Sequence, residues 1–109
     1  MSSKAVIPRE LARRDVEAAV DHYSREAGIE VALGFVDALQ AAYDQIADHS
    51  GSGSLRYAYE LGIADLRSIP LQRYPYLVFY RDQSTHIDVW RVLHAKRDIP
   101  RWMHEPDHS

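Results

Sequence analysis

Apolar and polar positions along this chain change period twice, and the changes mark its elements. Ala5-Val-Ile7 is a short β-prone run closed by Pro8, which cannot donate to a strand ladder. From Glu10 the period lengthens. Ala12, Val16, Val20, Tyr23 and Ala27 recur at helical steps, with Arg13, Arg14, Glu17 and Asp21 on the opposite side. Gly28 then ends this helix as a C′ glycine does. A second helix is predicted from Glu30 to Asp48, with Val31, Phe35, Leu39, Ala42 and Ile46 as its main stripe. Leu33, Val36 and Tyr43 form a second apolar stripe that the first does not explain, and it is expected to stay partly exposed.

Beyond the helices lies His49-Ser-Gly-Ser-Gly-Ser54, which reads as a flexible Gly/Ser connector. The rest alternates as β. Ile63 to Leu71 is predicted as one strand and Tyr76 to Arg81, apolar on both faces, as a central one. In the last strand Ile87, Val89 and Leu93 are expected to face one way, and His86, Asp88, Trp90, Val92 and His94 the other. Connections at Gln72-Arg73 and Asp82–Thr85 are of hairpin length, so these three strands should be antiparallel neighbours. Pro100 interrupts the pattern, leaving a short turn or frayed helix and a flexible tail over 103–109. The expected fold is α+β in the order β-α-α-β-β-β. A two-helix hairpin packs on one face of a twisted, mostly antiparallel sheet in a single domain spanning 1–109.

Composition changes this picture only in part. With 109 residues, 46% apolar and 27% charged, the chain supports one modest core and is not a disordered sequence. It has no cysteine, no apolar run near the ~20 residues of a membrane span and no secretory leader pattern, so a reducing cytoplasm is the simplest compartment. Charge is more informative, because it is uneven. The first sixty residues are acidic on balance. Arg67, Arg73, Arg81, Arg91, Lys96, Arg97 and Arg101 then outnumber Asp65, Asp82, Asp88 and Asp98, on a chain of net charge −3. A nucleic-acid binder normally carries a net basic footprint. A basic C-terminal half on an acidic body suits an acidic protein partner at least as well as RNA.

His104-Glu-Pro-Asp-His108 carries the letters of a zinc helix motif, but Pro106 breaks the helical turn that must align its two histidines. It is read as polar tail, and neither metal nor cofactor is expected. His86 and His94 lie about 27 Å apart along a strand, too far to share an ion or a proton relay. No paired-carboxylate site, Gly-rich phosphate loop or serine triad stands out, so no catalytic residue is assigned.

The strongest signal is the pair of runs Tyr74-Pro-Tyr-Leu-Val-Phe-Tyr-Arg-Asp82 and His86-Ile-Asp-Val-Trp-Arg-Val-Leu-His-Ala-Lys-Arg-Asp98. Together they resemble the C-terminal signature of ParE-type toxins in the RelE/ParE superfamily. The resemblance implies the toxin of a type II toxin–antitoxin pair, of the kind tied to plasmid stabilization. A small ParD-like antitoxin would neutralise it within a hetero-oligomer, and DNA would be met only through that antitoxin. The implied target is DNA gyrase, reached by protein–protein contact.

RelE-like relatives are instead ribosome-dependent mRNA endonucleases, and their pattern can be tested here. The positions of their two lysines before Leu66-Arg67-Ser68 hold Ile63 and Asp65, and Tyr76 stands where an arginine precedes Leu77-Val78. Arg97 has a counterpart, while the expected tyrosine falls near Trp102 or Met103. Cleavage through the 2′-hydroxyl needs proton donors, acceptors and cations on the developing phosphorane, and a carboxylate at a lysine position opposes this. Two alternatives stay open: a nuclease with a divergent site built from Arg67, Arg97, His94 and Trp102, and a non-toxic relic that still binds its antitoxin.

Arg67, Lys96, Arg97, Arg101 and Trp102 are therefore expected to face the target, since Trp and Arg dominate binding hot spots. Leu33, Val36, Tyr43 and Trp90 are expected to meet the antitoxin. Arg91 is read either as a partner contact or as an ion pair with Asp65, Asp88 or Asp98. Lys96 to Met103 has too little apolar periodicity to look like core, so truncation after Ala95 should leave the fold intact.

Overall fold

A computed structural model describes residues 4–97 and 99–103. Strand β1 (Ala5–Pro8) leads into helices α1 (Glu10–Glu26) and α2 (Ile29–Asp48). A single 3-10 turn and helix α3 (Arg56–Leu61) precede strands β2 (Arg67–Pro70), β3 (Tyr76–Asp82) and β4 (His86–His94), and helix α4 (Ile99–Met103) follows. The sheet order is β1-β4-β3-β2, with β1 parallel to β4 and the other pairs antiparallel. Among the described residues no helix is long and apolar enough to cross a membrane.

The helical hairpin follows its apolar spacing. In α2 the buried residues are Ala32, Phe35, Leu39, Ala42 and Ile46, one residue off the expected stripe only at its start, where Ala32 replaces Val31. Between the helices Gly28 takes φ +100° and donates its N–H to the Tyr23 carbonyl at 3.0 Å. A side chain at that φ would be strained, which is why glycine makes this turn. The hairpin covers one face of the sheet through Val78, Tyr80, Ile87, Val89 and Val92. Phe35, Tyr74 and Tyr76 meet edge-on within that layer, the geometry that aromatic quadrupoles favour.

The other face is covered too, which the sequence reading did not foresee. Leu66, Phe79, Leu93, Ile99 and Met103 form a second buried cluster, joined by Tyr57, Ala58, Leu61, Trp90 and Trp102. Side chains alternate along β3, so Val78 and Tyr80 enter the first core while Leu77 and Phe79 enter the second. The expected strand over Ile63–Leu71 shrinks accordingly to Arg67–Pro70. Residues before it form α3, stopped by Gly62 at φ +67°, and a turn through Asp65 at φ +63°. Pro100 does not break the closing segment. It sits in the first turn of α4, where a missing N–H costs nothing.

Two further expectations are corrected. The Gly/Ser connector is not a loose linker. Gly53 is buried and donates to Tyr80 Oη (3.0 Å), Tyr80 Oη donates to the Ser50 carbonyl (2.7 Å), and Ser54 exchanges two backbone hydrogen bonds with Ser68. A Cβ at residue 53 would collide with Tyr80 Oη and with the Arg67 side chain, so the glycine is needed for close approach. The simple alternation expected of β4 also fails midway. Val89 pairs with Tyr80 but Arg91 pairs with the adjacent Phe79, so Trp90 is an extra residue. Such a bulge flips the faces beyond it. Val92, expected to lie with Trp90, joins the helix-covered core, while Leu93 parts from Val89 and joins the second.

Candidate functional site: a cationic cleft at the C-terminal end of the sheet

Beyond Pro8 strand β1 no longer pairs with β4, because its register ends at Val89. The β4 backbone past that point needs other partners, and α1 supplies one. Asp15 Oδ2 accepts from the Val92 N–H at 3.0 Å and from Arg91 Nε at 2.8 Å, while Oδ1 accepts from Arg91 Nη2 at 2.7 Å. Arg91 Nη1 donates to the Trp102 carbonyl at 2.7 Å. One arginine thus ties α1, β4 and α4 together, with 5% and 11% of the two side chains exposed. Of the two readings left open for Arg91 the ion pair is the one observed, formed with Asp15 and not with Asp65 or Asp88. The third expected partner, Asp98, lies outside the described residues.

Next to this lock opens a cleft of about 610 Å³, lined by Asp15, Ala18, Ala19 and His22 of α1, Tyr76 of β3, Val92, Leu93 and His94 of β4, then Arg97 and Trp102. His94 Nδ1 accepts from the Lys96 N–H at 3.1 Å, so a neutral ring carries its proton on Nε2. Burial, with Lys96, Arg97 and His22 nearby, holds the His94 pKa below its usual value. The ring meets Tyr76 edge-on at 5.2 Å. Burial raises the Tyr76 pKa, against the nearby Arg97 and reinforced by Asp15. The Arg97 guanidinium lies 4.3 Å over the Trp102 ring and has no hydrogen-bond partner among the described residues.

The five residues expected to face a target are only partly brought together. Arg97 and Trp102 share the cleft, with Lys96 beside it and Arg101 exposed on α4. Arg67 stands apart at the start of β2, opposite Tyr80 on the far edge of the sheet. Its Nη1 donates to the carbonyls of Gly53 (2.8 Å) and Gly51 (3.3 Å), so it clamps the connector. The idea that Lys96–Met103 lacks internal contacts is overturned. Ile99 and Met103 are buried, and Trp102 packs on them. The motif at 104–108 and the rest of the expected tail lie outside the described residues.

The four residues expected to meet an antitoxin also separate. Leu33 (56% exposed) and Val36 (40%) do form an open stripe, which Ile29 (62%) extends by one turn. The i, i+4, i+7 spacing of these three could have included Ile29 from sequence alone. Tyr43 is not on that stripe. It packs against the helix–sheet core, and burial, then Asp15, pushes its hydroxyl pKa up to about 12. Trp90 belongs to the opposite face of the sheet. Its Nε1 donates to Asp88 Oδ2 (3.0 Å), and Arg9, itself paired with Asp88, lies 4.4 Å over the ring.

Comparison with known proteins assigns this architecture to a family. The chain matches the family model described as the ParE toxin of type II toxin–antitoxin system, parDE, over residues 6–99, and it belongs to that family. A chain of the solved chromosomal ParDE TA system from P. aeruginosa has the same fold. Its TM-score is 0.72 at 21% sequence identity, with 86% of this chain and 98% of that chain covered. No curated protein matches the sequence.

Proposed function

We propose that this ParE-family toxin acts on DNA gyrase by protein–protein contact and is neutralised by a ParD-like antitoxin in a hetero-oligomer. The family match over nearly the whole chain carries this reading. Two features support it. Ile29, Leu33 and Val36 form an uncovered apolar stripe, and their helix holds Glu30, Asp37, Asp44 and Asp48 with no lysine or arginine. A basic amphipathic segment of an antitoxin fits such a surface through its apolar face and its charge. Lys96, Arg97 and Arg101 project from a segment anchored by Ile99 and Met103, which suits an acidic target surface. The stripe lies on α2 and the cationic segment follows β4, so antitoxin and target would meet different elements.

Adding the purified chain to a gyrase supercoiling reaction, with and without the product of the adjacent reading frame, tests this. Inhibition relieved by that product is expected. Undiminished supercoiling at every toxin concentration would remove gyrase from the proposal.

RNA cleavage is a second reading because His22, His94, Tyr76 and Arg97 line one cleft. The turn placing Ile63 and Asp65 before β2 supplies no lysine to it. Codon-positioned cuts on ribosome-bound message, abolished by Arg97→Ala, would establish cleavage instead.

A further inference from the structure

The cleft between α1 and the end of β4 collects hydrogen-bond donors with nothing to receive them. Among the described residues, the Arg97 guanidinium, the Tyr76 hydroxyl and the His22 ring have no hydrogen-bond partner. His94 spends Nδ1 on the Lys96 N–H and presents Nε2–H. Among the described residues of the wall the one carboxylate is Asp15, and its charge is already answered by Arg91 and the Val92 N–H. A concave surface of unmatched donors with a guanidinium at its mouth calls for an oxyanion.

We propose that this cleft is a carboxylate-binding site that takes the side chain of an acidic peptide segment. The Arg97–Trp102 stack favours it. With its carbon 4.3 Å over the indole and no hydrogen bond to a described residue, the guanidinium keeps N–H groups that can grip a carboxylate with two hydrogen bonds. The same contact covers one face of Trp102, the one indole among the described residues of the cleft wall, so that face offers no platform to a nucleobase. Arg97 is the single lysine or arginine among the described lining residues, so it matches one carboxylate charge, whereas a phosphate dianion or a polyanionic backbone would bring further charge unpaired. The site deepens the reading above by naming the chemistry its target-facing end accepts, and it stands on the cleft geometry alone.

Titrating the full chain with acetyl-glutamate-amide while following the His22, His94 and Trp102 ring resonances by NMR tests the site without any partner. Acetyl-glutamine-amide and inorganic phosphate are the comparison ligands. Saturable shifts are expected with the glutamate probe, none with the glutamine probe, and weaker binding of phosphate. Affinity should fall about tenfold or more in Arg97→Gln, the loss of one charge-assisted pair. It should not change in Arg56→Gln, on α3. No saturable shift, tighter binding of phosphate than of the glutamate probe, or full affinity in Arg97→Gln would each overturn the assignment. A chain that binds the probe yet leaves gyrase untouched would retire the gyrase target and keep the site.

Discussion

The two faces of the sheet are covered by different means. On one, α1 and α2, of seventeen and twenty residues, lay continuous stripes over Val78, Tyr80, Ile87 and Val89. On the other, α3 and α4, of six and five residues, cover Leu66, Phe79 and Leu93. Helices that short are not stable by themselves. They persist because Leu61, Ile99 and Met103 dock. On the first face helix length and packing reinforce each other, whereas on the second, secondary structure is a consequence of packing. The second face also carries the cationic segment, so there the residues that hold the fold and those that would meet a partner alternate along a few positions.

Truncation after Ala95 should break this contrast most severely. It removes Ile99 and Met103 from the second core and the Trp102 carbonyl from Arg91. Burial losses of about 2–5 kcal/mol for each large apolar side chain would consume most of a small domain's stability. Loss of a cooperative urea transition is expected. An unchanged midpoint would mean that the second face is dispensable.

Arg91→Ala comes next, because it leaves Asp15 buried with no counter-charge and unties α1 from α4 at once. A loss of about 3–5 kcal/mol by urea unfolding is expected, against a much smaller one for the paired change Arg91→Met with Asp15→Leu. If the double variant is as unstable as the single one, shape rather than charge holds the two faces together.

A smaller effect distinguishes the cleft. The native fold favours neutral His94, whose pKa lies below the usual 6.5 chiefly through burial. Its contribution to stability is present above about pH 6.5 and is lost as pH falls through the folded value. Urea midpoints measured from pH 8 to pH 5 should decline, and His94→Gln should decline less over that range. Equal slopes in the two proteins would take His94 out of the pH response.

Leu33→Asp should have the least effect on the fold, within about 0.5 kcal/mol, because the side chain is more than half exposed. Antitoxin co-purification should nevertheless drop, since the substitution puts charge in the apolar stripe. Unchanged recovery of the partner would move its contact away from α2.

The contrast between the faces also explains what the sequence could and could not disclose. Long helices repeat their apolar residues often enough to reveal a face, so α1, α2 and the Phe35–Ile46 stripe were legible. Strands β3 and β4 were legible from their runs and their short turn. Helix α3 was not, because Tyr57, Ala58 and Leu61 span barely more than one turn and imitate an irregular strand. Glycine and serine at 50–54 suggested mobility because composition does not register that Tyr80 and Arg67 reach back to that segment's backbone. In the candidate site, Arg97 and Trp102 were visible by residue type. His22 was not, since only the crossing of α1 over the free end of β4 brings a residue so distant in sequence to the same cleft.

The extra residue in β4 has an evolutionary consequence. Substitution changes what a strand position carries, but only insertion or deletion changes which way every later position points. With Trp90 present, Arg91, Val92 and Leu93 are buried one after another. A lineage that lost one residue here would reverse the parity of everything from Arg91 to His94 in a single event. The Asp15 lock and the cleft wall would be lost together. A one-residue gap at this place in an alignment would therefore mark a toxin whose cleft had been rebuilt, however similar its letters on either side.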